Sequence, residues 1–376
     1  MLKGVHLTLM IGPAVPVAVP QSVLDALTSV QVTTASGQRS GFQLTFTLST
    51  QSPLHTLFLL SGGSPIPIMR VIIIATVNGT PEVLMDGVIT NQEVSPGSEP
   101  GKATLTVTGE DLSHVMDLID FTGVPYPAMP AEARVPLIIA KYAFLGMIPL
   151  VIPSILLDVP IPVFRIPRHQ GTDLAYINQL ADEVGYVFYV DPGPTPGMNT
   201  AYWGPEIKVG VPQPALSINQ DLSGNNVESL SFNFDNKSKT LPVLFIYNQE
   251  TKVPIPIPVP DITPLNPPLG AVPPFPTKVE FISETAKYNP VQAAVIGLTK
   301  AAKSSEAVTG TGMLDVMRYG RVLKARKLVG VRGAGTAFDG LYYVKSVTHN
   351  IKRGEYKQNF SLSRNGLIST IPKVPV

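Results

Sequence analysis

The chain contains no cysteine. That excludes disulfide frameworks, cysteine-ligated zinc, iron–sulfur clusters and cysteine nucleophiles, and it fits folding in a reducing cytoplasm. Charge is scarce as well. Asp, Glu, Lys and Arg make up 15% of 376 residues, against ~25% in soluble proteins at large. The charges nearly cancel, with 28 basic and 27 acidic side chains for a net +1. A bulk nucleic-acid binder would carry a large basic excess. Long apolar runs are missing too. The most apolar window, Tyr142 to Leu157, is 16 residues long and contains Pro149 and Pro153, whereas a spanning helix needs ~20 residues. It reads as a buried or subunit-facing segment. The apolar stretch Leu7 to Val19 is interrupted by Pro13 and Pro16. It has neither the basic leader nor the small-residue cleavage site of a secretory signal, so cytoplasmic synthesis without a signal peptide is expected.

What is abundant is proline, 38 residues, about twice the usual ~5%. That density disfavours a mainly helical protein. The length suggests two to three domains. Apolar residues are 44% of the chain, so core material is ample. With so little charge, much of the surface must be neutral, as it is on chains that bury surface against partner subunits.

Strand patterns dominate residues 40–108. Phe42, Leu44, Phe46 and Leu48 alternate with polar residues, the period of a half-buried strand. Arg70 to Val77 is β-branched, and Asn78-Gly79 behind it is a hairpin turn signal. Leu112, Val115, Met116 and Ile119 then take helical spacing. A helix is expected after Pro130. A clearer one follows Thr172, with Asp173 in its first turn, an apolar face of Leu174, Ile177, Leu180, Ala181 and Val184, and Gly185 as its stop. The strand Tyr186–Val190 comes next, so 113–214 reads as a small α+β unit. Alternation returns at Val227–Phe234. Residues 241–276 hold 11 prolines, which predicts extended polyproline or irregular chain rather than sheet interior. Val291 to Lys303 reads as a helix. The strands Val322–Arg332, Leu341–His349 and Gln358–Ser363 close the chain. No repeat of 20–50 residues is visible.

Charge is unevenly placed. Arg318 to Arg364 contains eleven Lys or Arg and only Asp339 and Glu355 as acids, a local +9 on a body of −8. Tyr319, Tyr342, Tyr343 and Phe360 interleave with these cations, the composition of a single-strand-binding groove. The competing reading packs the aromatics in a sheet and points the cations outward.

Catalytic motifs are absent or degenerate. Gly97 to Ala103 imitates a phosphate loop, but it is one residue short, lacks the metal-holding hydroxyl and precedes no helix. Gly333-Ala334-Gly335 lacks the third glycine of a dinucleotide site. Asp111, His114 and Asp117 share a helical face and could hold a metal, although a solvated face is the plainer account. His169 suits a structural hydrogen bond, and His349 has no evident partner for general-base work. No cofactor, metal or small-molecule substrate is expected.

The order of segments resembles that of the late control D proteins, the baseplate hubs of contractile phage tails, including the T4-like tail hub. Gly171 to Val190 (GTDLAYINQLADEVGYVFYV) resembles their middle-domain signature. Tyr202 to Pro205, Pro214 to Ile218 and Asn226 to Phe232 resemble the opening of their second barrel. Gly333 to Gly366 resembles their closing strands. The resemblance runs from about residue 100 to 368.

It implies a mainly β chain with two tail-tube-like β-barrel domains separated by a discontinuous α+β middle domain. The expected division is 1–112 for the first barrel, 113–214 for the middle domain, and 215–238 with 305–376 for the second barrel. The Pro-rich insertion and helix at 239–304 would return to the middle domain. The implied function is a non-enzymatic, homotrimeric hub that adapts a hexameric inner tube to a trimeric spike. Its partners would be itself, the inner tube protein, the spike protein and other baseplate proteins, within a phage virion or an injection-system particle. No nucleic-acid specificity is implied. Arg318, Arg321, Arg326 and Arg332 are the candidates for subunit or tube contacts, because arginine makes two-pronged carboxylate contacts. Two other readings compete: a hub that also degrades peptidoglycan, and a single-strand nucleic-acid-binding barrel.

Overall fold

Half-buried alternating strands of the kind centred on Phe42 to Leu48 make up most of this chain. The structure, a computed structural model, describes residues 4–13, 15–49, 68–96, 102–154, 159–163, 166–219, 224–236, 239–247, 254–258, 267–282 and 306–371. The first half contributes β1 (Val5–Pro13), β2 (Val17–Ala18), α1 (Gln21–Ala26), β3 (Leu27–Ala35), β4 (Gly41–Ser49), β5 (Met69–Val77), β6 (Thr80–Pro96) and β7 (Lys102–Asp111). Strands β5 and β6 are joined at Asn78-Gly79, both at positive φ, the primed hairpin turn that the dipeptide favours.

Next comes the α+β unit. A 3-10 helix, Leu112–Asp117, leads into α2 (Ala131–Ala140), β8 (Met147–Val151), α3 (Asp173–Val184), β9 (Val187–Pro192) and β10 (Asn199–Gly204). The Thr172 hydroxyl accepts from the Ala175 amide at 3.2 Å. Gly185 ends α3 at φ +75°, so this helix matches its sequence signature at both ends. Residues 147–151 of the apolar window form an edge strand beside β10. No helix among the described residues is long and apolar enough to cross a membrane.

The last part holds β11 (Gln213–Ser217), β12 (Val227–Phe234), β13 (Thr240–Tyr247), β14 (Pro254–Pro258), β15 (Gly270–Val272), β16 (Lys278–Ile282), β17 (Val308–Asp315), α4 (Val316–Tyr319), β18 (Leu328–Arg332), β19 (Gly340–Lys352), β20 (Glu355–Arg364) and β21 (Leu367–Ser369). Two expectations need correction. The Pro-rich segment is not all irregular, because β13 is flanked by β14 and β16 in a separate three-stranded sheet. Pro254, Pro256 and Pro258 alternate along its edge strand. Residues two apart send their backbone polar groups to the same side, so the proline-free amides of Ile255 and Ile257 can serve the ladder. Nor is Val322 to Lys327 a strand. Side-chain amides replace a neighbouring backbone there: Gln358 brackets Leu323 with bonds of 2.9 and 2.8 Å. Gln213 does the same for Lys324 at 2.8 and 2.9 Å. The described part of 239–304 also reaches the C-terminal strands, through β15 on β21. The expected helix at 291–303 lies outside the described residues.

Although residues 112–212 separate them in sequence, the two halves share one sheet of 13 described strands, ordered β12-β17-β20-β19-β3-β4-β7-β6-β5-β1-β2, with β18 and β11 alongside. They also share a single apolar core running from Val5 to Leu362, while the α+β unit has its own around Trp203. Two buried arginines pin the α+β unit in place. Arg70 of β5 grips Asp86 of β6 with two bonds of 2.7 Å. It also donates to the carbonyls of Leu145 and Gly197, at 2.8 and 3.0 Å, while Asn199 donates to Asp86 at 2.8 Å. The Arg326 side chain, 4% exposed, pairs with Asp191 of β9. It donates to the Ala35 carbonyl of β3 at 2.8 Å and lies 4.1 Å from the Tyr189 ring centre. Three parts of the chain therefore meet on one guanidinium. A third knot joins Lys208, Lys345 and Glu306. Burial alone would raise the Glu306 carboxyl, but Lys208 and Lys345 reverse this and hold it below the usual carboxylate range.

Two measurements test these energetics. Removing Arg326 breaks a largely buried pair whose acid is partly exposed, so R326M should cost about 2–3 kcal/mol in denaturant unfolding. R321M, at an exposed position, should stay within about 0.5 kcal/mol of the parent. Equal midpoints for the two variants would refute the joint. His349 is buried beside Tyr356, at 2.8 Å from its hydroxyl, and burial lowers its pKa to about 3. The unfolded chain takes up this proton near pH 6.5, the folded chain only near 3, so stability falls as pH drops from 6.5. The slope should be about 1.4 kcal/mol per pH unit for this one group. Burial lowers His169 as well, adding to the loss. Urea midpoints unchanged between pH 7 and 5 would contradict this account.

Candidate assembly interface

Comparing the ladders of the two halves reveals an internal duplication. The path β3-β4-β7-β6-β5 in the first half matches β12-β17-β20-β19-β18 in the second, strand for strand and in the same chain order; beyond it the halves differ, since β1 runs antiparallel to β5 whereas β11 runs parallel to β18. The irregularities coincide. A shift between Leu27 and Ser29 in β3 has its counterpart between Val227 and Ser229 in β12. A shift between Ile89 and Asn91 in β6 has its counterpart between Val344 and Ser346 in β19. Over these five strands the register gives the same equivalences, so Val32 corresponds to Phe232 and Phe42 to Gly310. The pair has exchanged its large member: Val32 faces Phe42, whereas Phe232 faces Gly310. A β-carbon at Gly310 would come 2.8 Å from the Phe232 ring, closer than packing allows.

The halves are joined by a β ladder. Ser346 to Lys352 of β19 pair antiparallel with Ala35 to Ser29 of β3. Before the bulge at Lys345, the same edge of β19 serves β18, from Tyr343 to Gly340. The Lys345 carbonyl takes the Ser36 amide at 2.8 Å where the partner changes. Arg326, at φ +61°, donates its amide to the Val344 carbonyl at 2.8 Å. A positive φ costs a residue with a side chain about 1 kcal/mol. Away from the core, the joined sheet presents an open face rich in hydroxyls and amides. Thr33 and Thr348 touch across the joint at 3.1 Å, Ser346 and Ser361 at 2.6 Å, and Ser231 and Thr311 at 3.0 Å.

The four candidate arginines are not brought together. Arg318 is exposed on α4, and Arg321 is exposed on the rim of a cleft of about 620 Å³ with Lys324, Lys327 and Val211. Arg332 is half-buried at the end of β18, opposite Ser217. The Arg326 side chain is 4% exposed and is held within the chain by Asp191 and the Ala35 carbonyl. The aromatic residues of the nucleic-acid reading are core as well, since Tyr319, Tyr342, Tyr343 and Phe360 are all buried. Asp111 accepts from the amides of Ser113 and Ser40, His114 sits against Glu110, and Asp117 accepts from the Thr172 hydroxyl; no cluster of metal-ligating residues occurs among the described residues. Sequence reasoning missed Arg70 and Asp86, whose one signal was a charge at the head of an apolar strand.

No protein-family model and no curated protein matches the chain. Solved structures do. A tail protein from Neisseria meningitidis MC58 superposes with a TM-score of 0.62 at 13% identity, covering 97% of this chain and 98% of that one. The 43 kDa tail protein of prophage MuSo2 from Shewanella oneidensis gives 0.61 at 13% identity, covering 96% and 98%. An E. coli type VI secretion component, itself described as similar to T4 tail proteins, gives 0.53 at 11%, covering 93% and 78%. The chain is mainly β and has the fold of these tail and secretion proteins.

Proposed function

We propose that the chain is the structural baseplate hub of a contractile tail or injection system. Three copies would form a homotrimer that adapts a hexameric inner tube to a trimeric spike. The observation that carries this reading is the duplication: each chain holds two equivalent strand units side by side, so three chains present six. The fold shared with tail and secretion proteins supports the same setting. So does the surface of the α+β unit, which exposes Leu137, Phe144, Ile148, Leu150, Ile161 and Val163, apolar area of the kind that partners cover. Partners in this reading are the tube protein, the spike protein and other baseplate proteins, assembled into a virion or injection particle. The proposed division is 1–112, 113–214, and 215–238 with 305–376, with 239–304 as an insertion. Arg318 and Arg321 are proposed to face the tube or a neighbouring copy.

Sedimentation at micromolar concentration should give the mass of three chains. A stable monomer at high micromolar concentration would count decisively against a hub. Reversing charge with R318E and R321E together should weaken tube binding most at low salt and leave the fold intact. Binding unchanged across a salt series would remove these two residues from the interface.

A further inference from the structure

The cleft of about 620 Å³ beside Arg321 is walled by three stretches far apart in sequence. One wall is the β5–β6 hairpin, the second is the chain at 211–214, and the third is the loop at 320–327 between α4 and β18. The walls are fastened to one another. The Asn78 side-chain amide donates to the Gly320 carbonyl at 3.2 Å, and Lys324 pairs with Glu82 at 2.6 Å. Gln213 holds the Lys324 backbone through two bonds. The Tyr319 hydroxyl donates to the Pro214 carbonyl at 2.7 Å. A cleft fixed in this way need not be ordered when a ligand enters, which removes a large cost of binding. Its volume lies within the ~300–1,000 Å³ of clefts that hold ligands.

Charge narrows what can enter. Arg321, Lys324 and Lys327 line the cleft against one acid, Glu82. Glu82 neutralises Lys324, and both are half-buried. Arg321 and Lys327 are exposed and make no ion pair among the described residues. Asp191 acts on Lys327 from a distance, but its partner is Arg326. Beside these two cations the cleft has apolar surface, with Val211 93% exposed and Pro212 next to it. No aromatic ring lines the cleft, so it offers no platform on which a base could stack. Two uncommitted cations beside a carboxylate are also few for a phosphate backbone. They suit carboxylates, which arginine takes in a two-pronged contact and lysine as a point charge.

We infer that this cleft binds an acidic, extended peptide segment of another protein, with carboxylates on Arg321 and Lys327 and an apolar side chain against Val211. In the hub reading that protein is a tail component; the class of ligand does not rest on that reading.

A fluorescently labelled peptide of alternating glutamate and valine is the probe, followed by anisotropy against the full chain. It should bind more tightly at low salt, and its glutamine counterpart should not bind. R321M/K327M should weaken the glutamate peptide by about tenfold or more, the scale of losing hydrogen bonds to a charged group. K352M removes a charge at the end of β19, outside the cleft, and should change binding by less than about twofold. E82Q should tighten binding, because it frees Lys324 and removes a repelling charge, a gain that damage to the fold would not produce. Equal binding of the two peptides, no loss with R321M/K327M, or no gain with E82Q overturns the cleft as a carboxylate site. Oligothymidine of equal charge binding more tightly than the glutamate peptide, and lost in the same double variant, assigns the cleft to nucleic acid instead. A trimer that dissociates with R321M/K327M puts a second copy of this chain in the cleft and overturns a separate partner. A parent chain that binds the peptide but sediments as a monomer keeps the cleft and overturns the hub. A trimer that ignores the peptide does the reverse.

Discussion

Everything in this molecule hangs on one strand edge that changes partner. β19 spends the first part of an edge on β18 and the rest on β3. The bulge at Lys345 makes the change possible. An extra residue kinks the strand and raises its twist, so the edge turns away from its own unit toward the first one. Without that turn, the two halves would be separate sheets and the apolar residues of β3 would face water. With it, Val30, Val32, Val347 and Ile351 enter a common core. Arg326 locks the turn from beneath. Its backbone bonds to Val344, and its side chain bridges Asp191 and Ala35.

Such junctions are built from buried charge, and that choice has a physical reading. Replacing a buried ion pair with apolar residues is often neutral or stabilising, while removing one partner is costly. Arg70 with Asp86 and Arg326 with Asp191 are therefore better understood as setting position than as adding stability. A guanidinium needs several acceptors in fixed directions. Arg70 meets this need with one carboxylate and two carbonyls drawn from the α+β unit. A slide of a few ångström between units would strand a buried cation, so the relative placement of the units is tightly specified.

The duplication sets two similar strand units side by side in one sheet. The two units are not identical. Phe232 over Gly310 and Val32 beside Phe42 fill the same volume with different residues, and backbone ladders are indifferent to the exchange.

How much of this was legible beforehand divides cleanly by the range of the interaction. Short-range features could be read from the chain: the alternating strand at Phe42 to Leu48, the turn at Asn78-Gly79, and helix α3 between Thr172 and Gly185. In each, a residue's neighbours within four positions set the conformation. The order of segments pointed to the fold found in tail proteins. The duplication could not be read, because in β3 and β12 only Ser29 and Ser229 coincide, and a ladder constrains alternation rather than identity. Strand β14 was misread since proline count says nothing about which amides face a neighbour. Arg326 looked like its fellow surface arginines in a basic stretch. Its burial depends on Asp191 and Ala35, 135 and 291 residues away, and no local pattern carries that distance. Local propensity and period came from the sequence by itself. Which edges meet, and which cations are used up inside, was decided only when the tertiary structure brought distant backbone and charge together.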